Sequence, residues 1–491
     1  MLTIAVLLYL ALTIGIGLYA SRLVGDSKDF MIAGRSLPLY MNFTCVFATW
    51  FGAETVLSVS ATFANEGLSA IPGDPFGFSV CLVLVAILFA KYFYRLNLLT
   101  IGDYYRLRYG KRVEILTSAV IAFSYLGWAA AQFTAFGLVL SVLGKSAGAT
   151  WMTLKVGIVV GAVVVVIYTA LGGMWSVALT DMIQTVVIVI GLLIVAFLVA
   201  NLAGGFTPVF ESARHAGKLQ LFPQGGTREW FAYVAGFLTA ALGSIPQQDV
   251  FQRVTSAKDE RTAVRGTLLG GSFYFVFAFV PMFIAYAATV IDPAFMERFA
   301  SDDEREIQRT LPDLVLTTMP FWAQAIFMGA LVSAILSTAS GTLLAPANLL
   351  VENVLRSSRR KLSEKSILLS LRIVVVLFAI IVTVQAIASS KTMYEMVQAA
   401  YSIVLAGALV PLVFGIYWKQ ATTQGALMAI VLGVMVWAVM CFGFGDEFIV
   451  PSQLCGLAAS VLGMIIGSIA PQWVSDKQLQ PAARAESFVG N

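Results

Sequence analysis

The chain has 491 residues, of which 59% are hydrophobic and only 12% charged, with one histidine and a formal net charge of +4. A soluble protein of this length carries about twice that charged fraction, so the small positive balance reads as a loop effect and gives no reason to invoke nucleic acid. Repeated apolar runs of about 20 residues, each long enough to cross a bilayer, make this an all-α polytopic membrane protein. The alternating segments of about ten residues that a membrane β-barrel requires are absent.

The pattern predicts about thirteen transmembrane helices, near 2–20, 40–64, 76–96, 113–142, 150–172, 177–202, 230–250, 266–291, 314–351, 366–388, 393–417, 423–444 and 449–469. No basic region precedes the first run and no small-residue cleavage site follows it, so it reads as a retained helix and not a signal peptide. The fourth and ninth runs exceed what a bilayer needs and are expected to tilt or project beyond it. Cys45, Cys81, Cys441 and Cys455 all fall in apolar segments and read as small buried hydrophobes, not as a disulfide or metal set. His215 alone excludes a histidine-based metal centre. The polar tail after Ala470 is short, and no phosphate-binding GxxxxGK[ST] loop is present, so ATP-driven transport has no support.

Orientation follows from the basic residues of short loops. Arg106, Arg108, Lys111 and Arg112 follow span three; Arg253, Lys258, Arg261 and Arg265 follow span seven; Arg356, Arg359, Arg360, Lys361 and Lys365 follow span nine. The loop after span two instead carries Glu66 and Asp74, and that after span twelve Asp446 and Glu447. The expected topology has the N-terminus outside and the C-terminus cytoplasmic, in a plasma membrane, with minimal loops of bacterial type. Arg214, Lys218 and Arg228 lie in an outer loop long enough to be discounted. Asp302, Asp303, Glu304 and Glu306 are expected in a short polar outer segment.

Within span two, the run Phe47-Ala48-Thr49-Trp50-Phe51-Gly52-Ala53-Glu54 places a glycine and a carboxylate at a depth where charge is costly and marks function by default. Gly52 loosens the helix, which at membrane depth is tolerated only beside protein or a water-filled cavity. In a regular helix Trp50 and Glu54 would share a face and could seat an organic cation through cation–π attraction and charge. The alternative is a packed tryptophan and a neutralised acid. In span nine, Ser337 and Thr338 are adjacent hydroxyls in an apolar helix. They either bond back to carbonyls of their own helix or, with carbonyls freed from a broken partner, ligate a small hard cation.

Gly172-Gly173 is expected to form a tight turn, with Ser176 capping the next helix. Asp181 is either a first-turn acid or a carboxylate on the inner route of a cation. Pro246 breaks the end of span seven, and its neighbouring amides, Gln247 among them, could face a polar cavity. Asp249 and Arg253, four apart, are expected to pair structurally at the cytoplasmic end. Trp128, Gln132 and Tyr401 are polar-tipped groups that could face the same cavity.

Together these segments resemble the sodium/solute symporter family over nearly the whole chain. YTALGGMWS (Tyr168 to Ser176) followed by Asp181 is similar to the family signature, and AILSTAS (Ala334 to Ser340) to the corresponding helix of the bacterial proline permease subgroup. FQRV (Phe251 to Val254) and FGIYWKQATTQGALMAIVLG (Phe414 to Gly433) also fit. ATWFG (Ala48 to Gly52), WAAAQFTAFG (Trp128 to Gly137) and YTALGGMWSVALTDMIQ (Tyr168 to Gln184) resemble the high-affinity choline transporter subgroup, which would put Trp50 and Trp128 in an aromatic cage. The chain departs from that subgroup at Gln247, where those carriers have tryptophan, and at Glu54, where they have glycine.

The resemblance implies a leucine-transporter-type 5+5 fold in one membrane domain. An extra first helix and loop (1–36) would precede inverted repeats at 37–203 and 228–418, followed by two extra helices (419–472) and a cytoplasmic tail (473–491). It implies a sodium site at the carbonyls of Ala48, Phe51 and Ala334 and the hydroxyls of Ser337 and Thr338, with Asp181 on the ion route. The expected activity is sodium-coupled uptake of a small organic solute by alternating access, with Trp50, Glu54, Trp128, Gln132, Gln247 and Tyr401 binding an amine or zwitterion. Partners would be the solute, Na+ and the bilayer, with no obligate protein partner. Rival readings are a proton-coupled carrier using Glu54, a sodium-coupled monocarboxylate carrier and a solute sensor. An enzyme reading has neither a nucleophile–base pair nor a cofactor motif to support it.

Overall fold

The computed structural model describes residues 1–301, 304–356, 363–445 and 448–474, which are mostly helical and contain no β-strand. In hydrocarbon a backbone group has no water to bond, so apolar runs must satisfy their own N–H and C=O groups as helices. In chain order the principal elements are α1 (Leu2–Ala20), α2 (Leu39–Trp50), α3 (Glu54–Glu66), α4 (Pro72–Leu96), α5 (Lys111–Lys145), α6 (Leu154–Leu202), α7 (Thr227–Ala241) and α8 (Gln248–Ser256). They continue with α9 (Glu260–Ile291), α10 (Phe321–Arg356), α11 (Glu364–Ala388), α12 (Met393–Gly407), α13 (Leu409–Tyr417), α14 (Thr423–Phe444) and α15 (Ser452–Ile469).

Among the described residues, nine helices are long and apolar enough to cross a membrane, eleven when the bent pairs α2/α3 (55°) and α12/α13 (43°) each count as one crossing. That count does not confirm the expected thirteen, and the difference lies in two places. The 49 residues of α6 cover both expected crossings at 150–172 and 177–202 without a separating loop. The two stretches meet at Gly173, whose backbone is not helical (φ 51°, ψ −142°), so each is a crossing of ordinary length. The expected span at 230–250 is instead divided into α7 and the polar, nine-residue α8, with Pro246 in the interruption.

Three further expectations are corrected. The ninth span begins at Phe321 and not near 314, because Pro320 caps it and residues 314–318 end a separate amphipathic helix, Glu304–Thr318. Gly173 breaks the backbone between the two halves of α6 (φ 51°, ψ −142°), where the Gly172-Gly173 turn was expected, but the Ser176 hydroxyl is buried without a partner and caps nothing. Of the cysteines only Cys45 and Cys81 are buried, while Cys441 is exposed on the outer face of α14. The expected loop charges Asp302, Asp303, Arg359, Arg360, Lys361, Asp446 and Glu447, and the tail 475–491, lie outside the described residues.

α5 and α10 are the most enclosed of the long helices. α10 packs against α6, α5, α1 and α2, so the broken pair α2/α3 crosses the centre of the bundle beside it. α14 and α15 pack chiefly on each other and turn exposed Val431, Met435, Val439, Leu462 and Ile466 outward. Such an apolar exterior suits lipid. Gly173 holds the α6 kink against the N-terminal segment: a β-carbon there would stand 2.5 Å from the Phe30 carbonyl oxygen and 2.7 Å from its ring. Positive φ and a backbone clash act together. Gly173→Ala is therefore expected to cost about 2 kcal/mol, seen as a drop of several degrees in the melting temperature of the detergent-purified protein.

Candidate functional site

The site begins with a break in one helix. Phe51 leaves helical geometry (φ −77°, ψ 76°), and the Gly52 N–H turns back to the Trp50 carbonyl at 2.9 Å. In an unbroken helix that N–H would bond the carbonyl of Ala48. The freed Ala48 carbonyl accepts instead from Ser337 Oγ at 2.9 Å and Thr338 Oγ1 at 3.4 Å, both on α10. Ser337 Oγ also lies 2.7 Å from Asp181 Oδ1 on α6. The other carboxylate oxygen of Asp181 has no hydrogen-bond partner.

Three helices thus bring a backbone carbonyl, two hydroxyls and a carboxylate to one buried point, a donor set of hard oxygens suited to a small alkali cation. Asp181 stands inside α6 and aims at Ser337, which is not the posture of a first-turn acid. Phe51 and Ala334 flank the cluster, Phe51 at the break and Ala334 one turn before Thr338 on α10.

On the other side of the break the Ala53 N–H, relieved of its helical partner, donates to Gln132 Oε1 at 3.3 Å. Trp128 and Gln132 are one turn apart on α5 and both reach Glu54: Trp128 Nε1–H donates to Oε1 at 3.0 Å and Gln132 Nε2–H to Oε2 at 2.5 Å. Trp50 does not share this face, contrary to the expectation from helical spacing, because the break falls between it and Glu54. Its indole N–H points to Asp249 Oδ2 at 3.2 Å.

Asp249 is not paired with Arg253 as expected. Its carboxylate accepts from Trp50 and from the Tyr125 hydroxyl, while Arg253 reaches only its backbone carbonyl, at 3.4 Å. The interruption between α7 and α8 lets Asp249 enter helix α8 in its first turn, facing the site and not the cytoplasmic end.

Between the two carboxylates lies an aromatic cluster. The Tyr401 ring is 5.5 Å from Trp128, 6.5 Å from Trp50 and 5.3 Å from Phe78, and Tyr125 stacks on Trp128 at 5.9 Å. The Tyr401 hydroxyl, Ser244 Oγ and Gln247 Oε1 are buried with no partner, while Gln247 Nε2 donates to Ser124 at 3.1 Å. All six residues expected to bind solute therefore gather around this cluster.

Sequence reasoning missed Tyr125, Phe78 and Asp74. Tyr125 sits three residues before Trp128, on the same face of α5, and that spacing could have found it. Phe78 is indistinguishable from its apolar neighbours. Asp74, expected in an outer loop, is fully buried and accepts from Thr55 Oγ1 and Tyr274 OH, each at 2.7 Å.

A cavity of about 820 Å³ opens beyond the cluster, lined in part by Glu66, Pro72, Glu229, Tyr233, Tyr394 and Gln398. Gln398 is about one helical turn from Tyr401 on α12.

Six charged side chains are buried among the described residues: Glu54, Asp74, Glu114, Asp181, Asp249 and Arg253. Glu114 has Arg106 at 3.8 Å and an Asn353 amide at 3.0 Å. The centre is left with four carboxylates and one guanidinium. Buried anions in excess of buried cations are unstable unless protons or cations join them.

The profile of the sodium:solute symporter family matches residues 30–433. Among curated relatives, the human high affinity choline transporter 1 is 27% identical over 452 residues, covering 88% of this chain and 75% of its own length. The sodium/pantothenate symporter of Escherichia coli K12 is 24% identical over 480 residues, covering 94% of this chain and 96% of its own. A Na+-coupled sialic acid symporter, solved substrate-bound and outward-open, superposes with a TM-score of 0.79 at 20% identity, over 96% of this chain and 98% of that one. The shared fold is the leucine-transporter type of ion-coupled carriers. The chain belongs to the sodium:solute symporter family.

Proposed function

We propose that the protein is a sodium-driven symporter for a small organic cation or zwitterion carrying an ammonium group. Sodium is held by Ala48, Ser337, Thr338 and Asp181, with the carbonyls of Phe51 and Ala334 completing the shell. The solute is held in the aromatic cluster of Trp50, Trp128 and Tyr401, with Glu54, Gln132 and Gln247 around it. The observation that carries the reading is the charge count: four buried carboxylates face a single guanidinium. One sodium and one ammonium group remove most of that excess, and aromatic faces bind ammonium by cation–π attraction. An anionic solute would deepen it. The choline transporters among the relatives support an ammonium solute, and the pantothenate and sialic acid carriers show that the family also takes carboxylates.

In this reading residues 37–203 and 228–418 are the inverted repeats, the vestibule is the outer mouth, and the membrane is a bacterial inner membrane with the C-terminus inside. Sodium ties the broken α2/α3 to α10 and favours the outward-open state. Solute and sodium must raise each other's affinity by the same factor. Gly52 is where they meet. A β-carbon there would lie 2.5 Å from Glu54 Oε2 and 2.8 Å from Thr338 Oγ1, so the solute-side acid and the ion-side hydroxyl are neighbours across one bare backbone.

The deciding experiment is a thermal-shift screen of amines, amino acids and carboxylates with and without sodium, followed by uptake into proteoliposomes. Amines or zwitterions should stabilise the protein, and more so with sodium; stabilisation by carboxylates alone would refute the solute class. Ser337→Ala with Thr338→Ala should reduce sodium-driven accumulation at least about tenfold, the loss of more than one hydrogen-bonded ligand. Glu54→Gln should abolish the shift caused by amines while keeping the shift caused by sodium alone. Two buried acids in the outer half, Glu54 and Asp74, favour a second reading, in which a proton is the driver. Uptake driven by a pH gradient without sodium, lost in Glu54→Gln, would establish it.

A further inference from the structure

Arg253 has no role in the preceding account. Its side chain is 1% exposed, and its Nε and Nη2 have no hydrogen-bond partner; only Nη1 reaches an acceptor, the Asp249 carbonyl at 3.4 Å. A guanidinium carries five N–H donors and does not give up its proton. Leaving it charged and mostly unmet in a membrane interior is therefore costly in this arrangement, and the cost cannot be avoided by titration.

The backbone around it is anchored. Asn42 Nδ2 donates to the Arg253 carbonyl at 2.7 Å, and α8 packs on both α2 and α10. The head is the part left loose. Beside it is a gap of about 10 Å³, walled by Val46, Thr49, Leu82, Val250, Val254 and Thr267, none of them charged.

An unmet acceptor of opposite charge sits beside the hydroxyl pair of α10. Asp181 keeps one carboxylate oxygen without a hydrogen-bond partner, while its other oxygen meets Ser337 Oγ at 2.7 Å. On α10 the head lies against Gly341, whose β-carbon, if present, would stand 2.6 Å from Nη2. Gly341 follows Thr338 by three residues and Ser337 by four, so the guanidinium waits about one helical turn, some 5 Å, along α10 from the hydroxyl pair. Only a glycine leaves it that room.

We propose that Arg253 is a tethered cation that competes with sodium for Asp181 and takes the ion's place there when the ion leaves. The proposal rests on the reading of Asp181 and Ser337 as the ion site. With sodium bound, two positive charges in a low-dielectric interior repel, and the head is kept to the Asp249 carbonyl. With sodium gone, the head swings across Gly341 to Asp181, so the carboxylate is never bare during the return of the empty carrier. Arg253 thereby weakens sodium binding in exchange for release.

The test is sodium binding to the purified full-length protein, by radiolabelled sodium and by sodium-dependent thermal shift. Arg253→Gln should bind sodium about tenfold tighter than the parent, because a competing charge is gone. Solute exchange should persist while net uptake, which needs the empty carrier to return, falls. Arg253→Lys should keep the parental affinity. Arg253→Met, apolar and of similar volume, replaces the glutamine variant should that fail to fold. In Asp181→Asn the gain from removing the charge should vanish. Unchanged or weaker sodium binding in both Arg253→Gln and Arg253→Met, or a lysine variant that behaves like them, would overturn the proposal. Failure of the underlying ion site is separable: Ser337→Ala with Thr338→Ala would then leave sodium binding as it was.

Discussion

Everything at the centre of this bundle depends on one carbonyl that a helix gave up. When α2 ends at Phe51, the Ala48 carbonyl loses its intrahelical donor, and no water is available in hydrocarbon to replace it. Ser337 and Thr338 supply the replacement from α10, and Asp181 closes on Ser337 from α6. The same break strands the Ala53 N–H, which Gln132 meets from α5. Breaking one helix thus obliges three others to present polar groups at the same depth. Ser337, Thr338 and Gln132 meet the freed backbone of α2 and α3, and Asp181 joins them through Ser337.

A second constraint is charge. Neutral hydroxyls and amides can satisfy a carboxylate's hydrogen bonds, as Thr55 and Tyr274 do for Asp74 and as Trp128 and Gln132 do for Glu54, yet they leave its charge in place. Hydrogen bonding and charge balance are separate requirements, and this interior meets the first far better than the second. An interior well supplied with donors and short of cations suits the cation cargo proposed for it. Its anions are held in position before the cargo arrives, so binding does not have to pay for arranging them.

Much of this was legible in the residues. The glycine and acid of span two, the paired hydroxyls of span nine and Asp181 each stood out as polar groups in apolar helices, and the bundle brings them together. Other features were not legible, for physical reasons. Helical spacing put Trp50 and Glu54 on one face, but spacing holds only where the helix does, and the break lies between them. The same rule suggested an Asp249–Arg253 pair; yet Asp249 stands at a helix start facing two aromatic donors, and those donors won. Asp74 looked like a loop acid because it follows a run of turn residues. Its burial depends on Thr55 and Tyr274, which are 19 and 200 residues away, and no local pattern encodes that.

In the proposed reading the two halves of the site meet at Gly52. Glu54 and Thr338 approach the same bare face of Gly52 from opposite sides, one belonging to the aromatic chamber and the other to the cluster of oxygens. A cation drawing Thr338 toward Ala48 fixes the end of α2, and the end of α2 sets where Glu54 meets Trp128 and Gln132. A solute drawing on Glu54 acts on the same hinge in return. Because Gly52 has no side chain to absorb the movement, a displacement of a few tenths of an ångström on one side must be felt on the other. On the proposed assignment of the two sites, coupling between ion and solute would need no long relay through the bundle, because both border the same glycine.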